Sequence, residues 1–288
     1  MSEKSIPCVI VHKGYKPYLK YNLEITSKNN KIFLIGDNSI KSLENLSKNI
    51  TFIDISKIEE NINLERYKNF FVNYSTNSLE FEWFCFARVF LINSFLESEK
   101  LQKIFYIDSD NVLLTDINDL SFKSETAYLI PQFQSDFRMT ASIHSGLISK
   151  EFCREFINLY EDIYINKNRF DLISKKIEFH KENKIPGGIC DMTFHYLIHQ
   201  DGNINIQNLM KPLNTKNNKL AIFMNNLNNA EGFELKDNYQ LKKGRIQIFN
   251  GNKILDLSNN KKIEICNIHF QGAAKKHLNY YQKFKLSY

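Results

Sequence analysis

The chain has 288 residues and a mass of 34.0 kDa, enough for one large domain or two small ones with a substantial core. Hydrophobic residues make up 43%, which excludes a largely disordered chain, and no apolar run reaches the ~18 residues a membrane-spanning helix needs. A balance of 38 basic to 32 acidic residues, net +6, is compatible with an anionic small molecule, a nucleic acid or a membrane surface and selects none of them.

Residues 6–11 form an apolar, partly β-branched run, followed by His12-Lys13-Gly14-Tyr15 and a helical stretch to about residue 27. A second apolar run over 31–35 ends at Gly36-Asp37. Strand, helix and strand in such close succession make a βαβ unit, which implies a parallel sheet with a right-handed crossover. Residues 50–55 read as a third strand. The clearest helix is 78–98, with Asn77 as the expected N-cap and Glu80 as its capping-box partner. Leu79, Trp83, Phe86, Ala87, Phe90 and Phe95 fall near one face, and further apolar residues around the helix imply burial on more than one side. The buried-strand run Lys103-Ile104-Phe105-Tyr106-Ile107 then stops at Asp108-Ser109-Asp110.

Residues 126–130 and 142–149 read as strands, 150–165 as a helix, 166–188 as a polar loop ending in Pro186-Gly187-Gly188, and 190–199 as another helix. Residues 236–257 predict a hairpin with Asn250-Gly251 as a type I′ turn, and 263–268 a last strand before a basic, aromatic tail. No internal repeat or low-complexity linker interrupts the chain. Five scattered cysteines without a CxxC pair indicate neither a disulfide framework nor a zinc knuckle, so a reducing, cytoplasmic setting fits. The N-terminal stretch has no long apolar h-region, so no secretory signal is expected. The excess of asparagine and lysine is read as compositional habit rather than as chemistry.

Two motifs carry chemistry. Asp108-Ser109-Asp110 follows a buried strand, and in open α/β sheets ligands bind at the carboxyl ends of strands. Two carboxylates there suit a divalent cation, which in turn neutralises a diphosphate. A bare Asp-x-Asp arises about once by chance in a chain this long, so its place in the pattern is what sharpens it. His269-Phe270-Gln271-Gly272-Ala273-Ala274-Lys275 follows the last expected strand. Its histidine could complete a metal site, its glycine admit a close phosphate, and its lysine neutralise one.

These landmarks, in this order over most of the length, resemble glycosyltransferases of the GT-A fold, most closely those of family 8. The resemblance extends to the first strand, where that family binds the nucleotide, and to His144-Ser145-Gly146 on a later strand. It implies an α/β fold with a single mixed, mostly parallel sheet flanked by helices, covering 1–288 as one domain. Residues 1–110 would be the nucleotide-binding half, 111–258 the acceptor half and 259–288 a closing segment. It also implies a nucleotide-sugar donor, UDP-linked, a hydroxyl acceptor such as a glycan, and Mn²⁺ (or Mg²⁺) held by Asp108, Asp110 and His269. Lys275 would meet the diphosphate, Arg88 the donor, and His12, Asp37 and Ser109 would lie in the donor pocket.

Asp191-Met192 stands where the family carries Asp-Gln, and Lys276-His277 where Pro-Trp is common. Stereochemistry therefore stays open, and Asp191 could serve as the general base of an inverting enzyme, with His144 holding sugar or acceptor. Each candidate also has a plain structural reading: a loop for His12, a strand end for Asp37, a salt bridge for Arg88, a core histidine for His144, and a helix-start carboxylate for Asp191. A sugar nucleotidyltransferase is a rival, but residues 12–30 contain only Gly14 where such an enzyme needs a glycine-rich loop. A carbohydrate-binding protein on an inactive transferase scaffold is the non-enzymatic alternative. The tail mixes Lys275, Lys276, Lys283 and Lys285 with Tyr280, Tyr281, Phe284 and Tyr288, which suits either a solvated helix or peripheral contact with the inner membrane face. No nucleic-acid-binding motif is present.

Overall fold

Short, β-branched, wholly buried strands belong in a sheet covered on both faces, and that is what the first half builds. The computed structural model describes residues 5–60, 62–224, 241–242, 245–246, 253–256 and 260–279. Strand β1 (Cys8–His12), helix α1 (Pro17–Thr26) and strand β2 (Ile32–Gly36) form the expected βαβ unit, β1 and β2 pairing in parallel from Cys8↔Ile32 to His12↔Gly36. A 3₁₀ helix over Asn38–Leu46 leads to β3 (Ile50–Asp54), the short helices α2 (Ile55–Glu59) and α3 (Leu64–Phe70), and the long helix α4 (Leu79–Ser98). Then follow β4 (Lys103–Ile107), β5 (Asn111–Leu113), β6 (Thr126–Leu129) and β7 (Ser142–Ser149). Helix α5 (Lys150–Tyr160) runs into a π-helical turn, and α6 (Asp171–Asn183), α7 (Asp191–Asp201) and β8 (Ile206–Asn208) complete the main body.

Seven strands make one sheet in the order β3-β2-β1-β4-β7-β6-β8. Only β7 runs antiparallel to its neighbours, so the sheet is mixed and mostly parallel, as expected from the sequence. Along β4 the side chains alternate between two cores: Ile104 and Tyr106 join the one containing α4, α5 and α7, and Phe105 and Ile107 the one against α1. Helix α4 is buried nearly all round, and fully burying a ring such as Phe86 contributes roughly 1.5–3 kcal/mol.

The second half holds β9 (Leu213–Asn214), β10 (Leu220–Ile222), β11 (Leu241–Lys242), β12 (Arg245–Ile246), β13 (Lys253–Asp256), β14 (Lys261–Ile265) and β15 (Asn267–His269). A partly antiparallel sheet takes the order β13-β14-β10-β9. The antiparallel pair β11–β12 falls inside the expected hairpin, whereas Asn250-Gly251 and the tail residues Tyr280, Tyr281, Lys283, Phe284, Lys285 and Tyr288 lie outside the described residues.

Three expectations need correction. The N-cap of α4 is Ser78, not Asn77: the Ser78 hydroxyl accepts from the Phe81 N–H, while the Asn77 amide donates to Glu82. The polar stretch 166–188 is not simply a loop, because α6 occupies Asp171–Asn183. Its buried residues, Ile173 and Lys176, are too few and too mixed to print an apolar period on the sequence. The last expected strand is two, divided at Cys266. Strand β14 joins the smaller sheet, and β15 turns away to pair with β5. Among the described residues no helix is long and apolar enough to cross a membrane.

Candidate active site

The carboxyl ends of β1 and β4 adjoin in the sheet, and the turn after β4 is fixed by hydrogen bonds to its backbone. Asn22, fully buried on α1, donates from its amide to the carbonyls of Ser109 (2.8 Å) and Asn111 (3.0 Å). The Asp108 N–H donates to the His144 carbonyl (3.0 Å) and the Phe270 N–H to the Asp110 carbonyl (2.9 Å). Strand β15, antiparallel to β5, puts His269 opposite Asn111 and so beside Asp110. The outcome is a cluster in which one ligand atom each of Asp108, Asp110 and His269 lies within 4.8 Å of the others.

Two polar networks radiate from this cluster. Around Asp110, the Lys275 ammonium lies 3.0 Å from Oδ2 and His269 Nε2 3.5 Å from Oδ1. Burial pushes the Asp110 carboxyl up, but hydrogen bonding and charge from His269 and Lys275 outweigh it and hold the carboxyl well below the usual range. Lys275 also stands 5.2 Å from the centre of the Tyr18 ring, and Tyr18 meets His12 edge-on. His12 Nε2 is buried and has no hydrogen-bond partner among the described residues. Beyond His12, the Gly14 N–H donates to Asp37 Oδ2 (2.6 Å) and the Ser39 N–H to Oδ1 (2.8 Å), so Asp37 pins the loop after β1 to the start of the 3₁₀ helix. Gly14 has φ +78°, a left-handed conformation that favours glycine.

Around Asp108, the Tyr106 hydroxyl donates to Oδ1 (2.7 Å) and Arg88 Nη1 donates to the same oxygen (2.6 Å). The other Arg88 nitrogen, Nη2, donates to Asp191 Oδ2 (2.9 Å). One guanidinium thus joins the turn after β4 to the first turn of α7, and both carboxylates raise its pKa against the effect of burial. Asp191 Oδ1 accepts the Met192 N–H (2.9 Å), so both of its oxygens are engaged.

His144 lies on β7, an interior strand, and not at a sheet edge. Its ring stacks near His269, centroids 4.2 Å apart, and its Nδ1 lies 3.0 Å from the Asn111 amide. Asn267 completes this layer by donating to Asn111 Oδ1 (2.8 Å) and exchanging hydrogen bonds with the backbone of Met224. The asparagines read from the sequence as compositional habit are therefore, at positions 22, 111 and 267, the scaffold under the cluster. A cavity of about 490 Å³ lies among α2, α3 and α4, with Lys13 at its border. Glu59, Glu65 and Glu80 line it beside Trp83 and Phe84, and the Lys13 ammonium lies 2.8 Å from Glu59 Oε1 and 5.8 Å from the centre of the Phe84 ring.

The structure brings together Asp108, Asp110, His269, Lys275, Arg88 and Asp191: Arg88 contacts Asp108 and Asp191, Lys275 and His269 contact Asp110, and the two groups meet in the cluster. His12 joins them through Tyr18, whereas Asp37 faces the loop backbone, and Ser109 offers its carbonyl to Asn22. Tyr106 was not foreseen, although its place two residues before Asp108 puts it on the same face of the strand end.

No protein-family model matches the chain, and no curated protein sequence matches it. Among solved structures the chain is similar to the PaToxG glycosyltransferase, with 12% identity, a TM-score of 0.41, and 68% of this chain and 69% of that one covered. It is also similar to a glycosyltransferase involved in the glycosylation of the major capsid of PBCV-1, with 9% identity, a TM-score of 0.37, and coverage of 96% and 99%. Neither likeness shows a resemblance to family 8.

Proposed function

We propose that the chain is a metal-dependent glycosyltransferase that moves a sugar from a nucleotide-sugar donor, UDP-linked, to a hydroxyl acceptor such as a glycan. The observation that carries this reading is the Asp108–Asp110–His269 cluster at the carboxyl end of a central strand, with Lys275 on one side and the Arg88–Asp191 pair on the other. Two carboxylates and an imidazole nitrogen fit a divalent cation, and the imidazole favours Mn²⁺ over Mg²⁺, which prefers all-oxygen octahedra. A cation bound there would supply positive charge for the departing diphosphate, the kind of electrostatic contribution that is usually largest in such sites.

The protein's own groups supply the rest. Lys275, within reach of Asp110 and half exposed, is suited to turn its ammonium toward phosphate oxygens. Arg88 holds Asp191 toward the cluster, where its carboxylate is the acceptor-side group and, with lone pairs remaining, can still take a proton from the acceptor hydroxyl. His144, buried behind His269, supports the metal face in this reading rather than touching the acceptor.

Calorimetric titration of UDP with Mn²⁺, with Mg²⁺ and with EDTA tests the proposal, alongside a screen of nucleotide sugars for metal-dependent hydrolysis. Tight binding with Mn²⁺ that is largely lost in EDTA is the expected result. Equal affinity in all three, or no hydrolysis of any donor, would overturn it.

A further inference from the structure

Among the described residues the buried Asp, Glu and Lys side chains are Asp110, Asp191, Glu82 and Lys176. The first two belong to the proposed site. The other two lie on segments that flank the turn carrying Asp191, and neither has a part in the chemistry above.

Lys176 sits on α6 and is 5% exposed. Its ammonium donates to Thr193 Oγ1 (2.9 Å) and to the Met139 carbonyl (3.3 Å). Thr193 is the third residue of α7, so that bond lands in the turn that begins with Asp191. Two residues beyond Met139, the Ala141 N–H donates to the Met192 carbonyl (3.1 Å). A single ammonium therefore ties α6 and the segment before β7 to the start of α7. On the other flank Glu82, 1% exposed, accepts from Ser75 Oγ (2.9 Å) and Asn77 Nδ2 (2.6 Å), and Ser75 bridges to Gly188. A Cβ at Gly188 would run into the Tyr74 carbonyl oxygen, so this approach requires glycine.

Lys176 is an expensive choice for a tether. Burial penalises its charge, and the first turn of a helix already carries positive partial charge. Its pKa is lowered by burial, with Cys190 and Glu82 pulling the other way. A neutral hydrogen-bond donor such as glutamine could bond the same acceptors without a charge to desolvate. Local arrangements that cost stability without an evident structural return are expected at functional sites.

We infer that Lys176 is a positioning residue for the transfer reaction, which through Thr193 and Met139 fixes the first turn of α7 and so the orientation of Asp191 against Arg88. The inference rests on the transferase reading. Its test uses the full chain, the nucleotide sugar found in the donor screen, and UDP with Mn²⁺ as the binding probe. Lys176→Met should lower kcat roughly 10–100-fold, the usual cost of losing a group that orients a site residue. Donor KM and UDP affinity should stay within about twofold, and Tm should fall by a few degrees at most, because the Met139 carbonyl and the Thr193 hydroxyl lose their donor. Lys176→Gln, which keeps an N–H donor, should recover part of the turnover. Thr193→Val, which removes only the acceptor hydroxyl, should reproduce the loss confined to kcat and serves if Lys176→Met does not fold. Wild-type turnover in Lys176→Met or Thr193→Val would overturn the inference and leave the transferase reading standing. So would a loss of kcat and UDP affinity in step with a falling Tm, which marks a merely structural role. A wild-type chain that hydrolyses no nucleotide sugar removes both.

Discussion

The two networks that meet at the end of β4 balance charge in opposite ways. Asp110 is one carboxylate facing an ammonium and an imidazole, both delivered by the last stretch of the chain, β15 and the residues after it. Arg88 is one guanidinium facing two carboxylates, Asp108 and Asp191, delivered by β4 and α7 and braced by the Tyr106 hydroxyl. Lys275 is half exposed on a flexible stem, whereas the Arg88 fork is mostly buried and its bonds are directional. The first network is built to exchange partners with a charged ligand. The second is built to hold two loops at a set separation. Substitutions should therefore separate them: on the Asp110 side activity falls much further than stability, and on the Arg88 side both fall together.

The largest expected effect is on the Asp110 side. Asp110→Asn keeps size and much of the hydrogen bonding but removes a charge, and losing several kcal/mol of metal-derived stabilisation corresponds to roughly 10³-fold in turnover. The Tm should shift by only a few degrees. Retained activity, or a collapse of Tm, would erase the contrast.

That Asp110 could be singled out in advance follows from the local nature of its signal. Asp-Ser-Asp after an apolar strand, and His269 and Lys275 in one short segment, are visible without knowing how the chain folds. The parallel pairing of β1 and β2 was legible for the same reason, since a βαβ unit declares itself within a few tens of residues, whereas the place of β4 beside β1 was not. What Arg88 does was not legible. On α4 it is one polar residue in a helix buried nearly all round, and its double role depends on where α7 begins, about a hundred positions later. Helix α6 was hidden because a charged residue, Lys176, occupies one of its two buried positions. The asparagine scaffold was hidden by abundance: nothing in composition distinguishes Asn22, Asn111 and Asn267 from asparagines on the surface.

On the other side, Arg88→Ala leaves Asp108 and Asp191 facing each other with no cation between them. Removing one partner from a largely buried ion pair typically costs about 3–5 kcal/mol, and here the same change also frees α7 from β4. Urea unfolding should report that loss and turnover should fall with it. Arg88→Lys should recover only part of either, because a single ammonium cannot serve two carboxylates as a fork does. Unchanged stability in Arg88→Ala would show that the second network holds nothing in place.

Acid should distinguish the flanks as well. His195 lies one turn beyond Asp191 on α7, fully buried among Tyr128, Phe152 and Phe156. Burial lowers its pKa to about 4 from the ordinary 6.5. Between those values the unfolded chain binds a proton that the folded chain does not. Stability is therefore complete above pH 6.5 and declines as the pH falls toward 4, by about 2–3 kcal/mol. His195→Phe should flatten that part of the profile. Asp110, held ionised by His269 and Lys275, loses its contribution only below the ordinary carboxylate range, so the α7 flank should weaken first as acid is added. A wild-type stability profile flat between pH 6.5 and 4 would contradict this order.

The smallest effect concerns Asp37, at the outer end of the Asp110 network, where two readings predict different outcomes from one substitution. Its two oxygens accept the N–H groups of Gly14 and Ser39, and those bonds hold its pKa below the ordinary value although the burial contribution acts the other way. An asparagine has one carbonyl oxygen and an amide that donates, so Asp37→Asn can keep one of these bonds and must lose the other. If Asp37 serves only to pin the loop after β1, the cost is that of one partly exposed capping interaction, about 1 kcal/mol. UDP affinity should then fall only as far as the Gly14 loop loosens, a few-fold at most, and equally for UDP and UMP. If Asp37 reaches the nucleotide itself, stability should change as little, but affinity should fall tenfold or more, the equivalent of about 1.4 kcal/mol for a lost contact to a charged acceptor. The geometry favours the first outcome, because both carboxylate oxygens already face backbone N–H groups of the protein. Measuring Tm together with UDP and UMP affinity on this one variant decides whether the Asp110 network ends at His12 or continues into the strand beyond it.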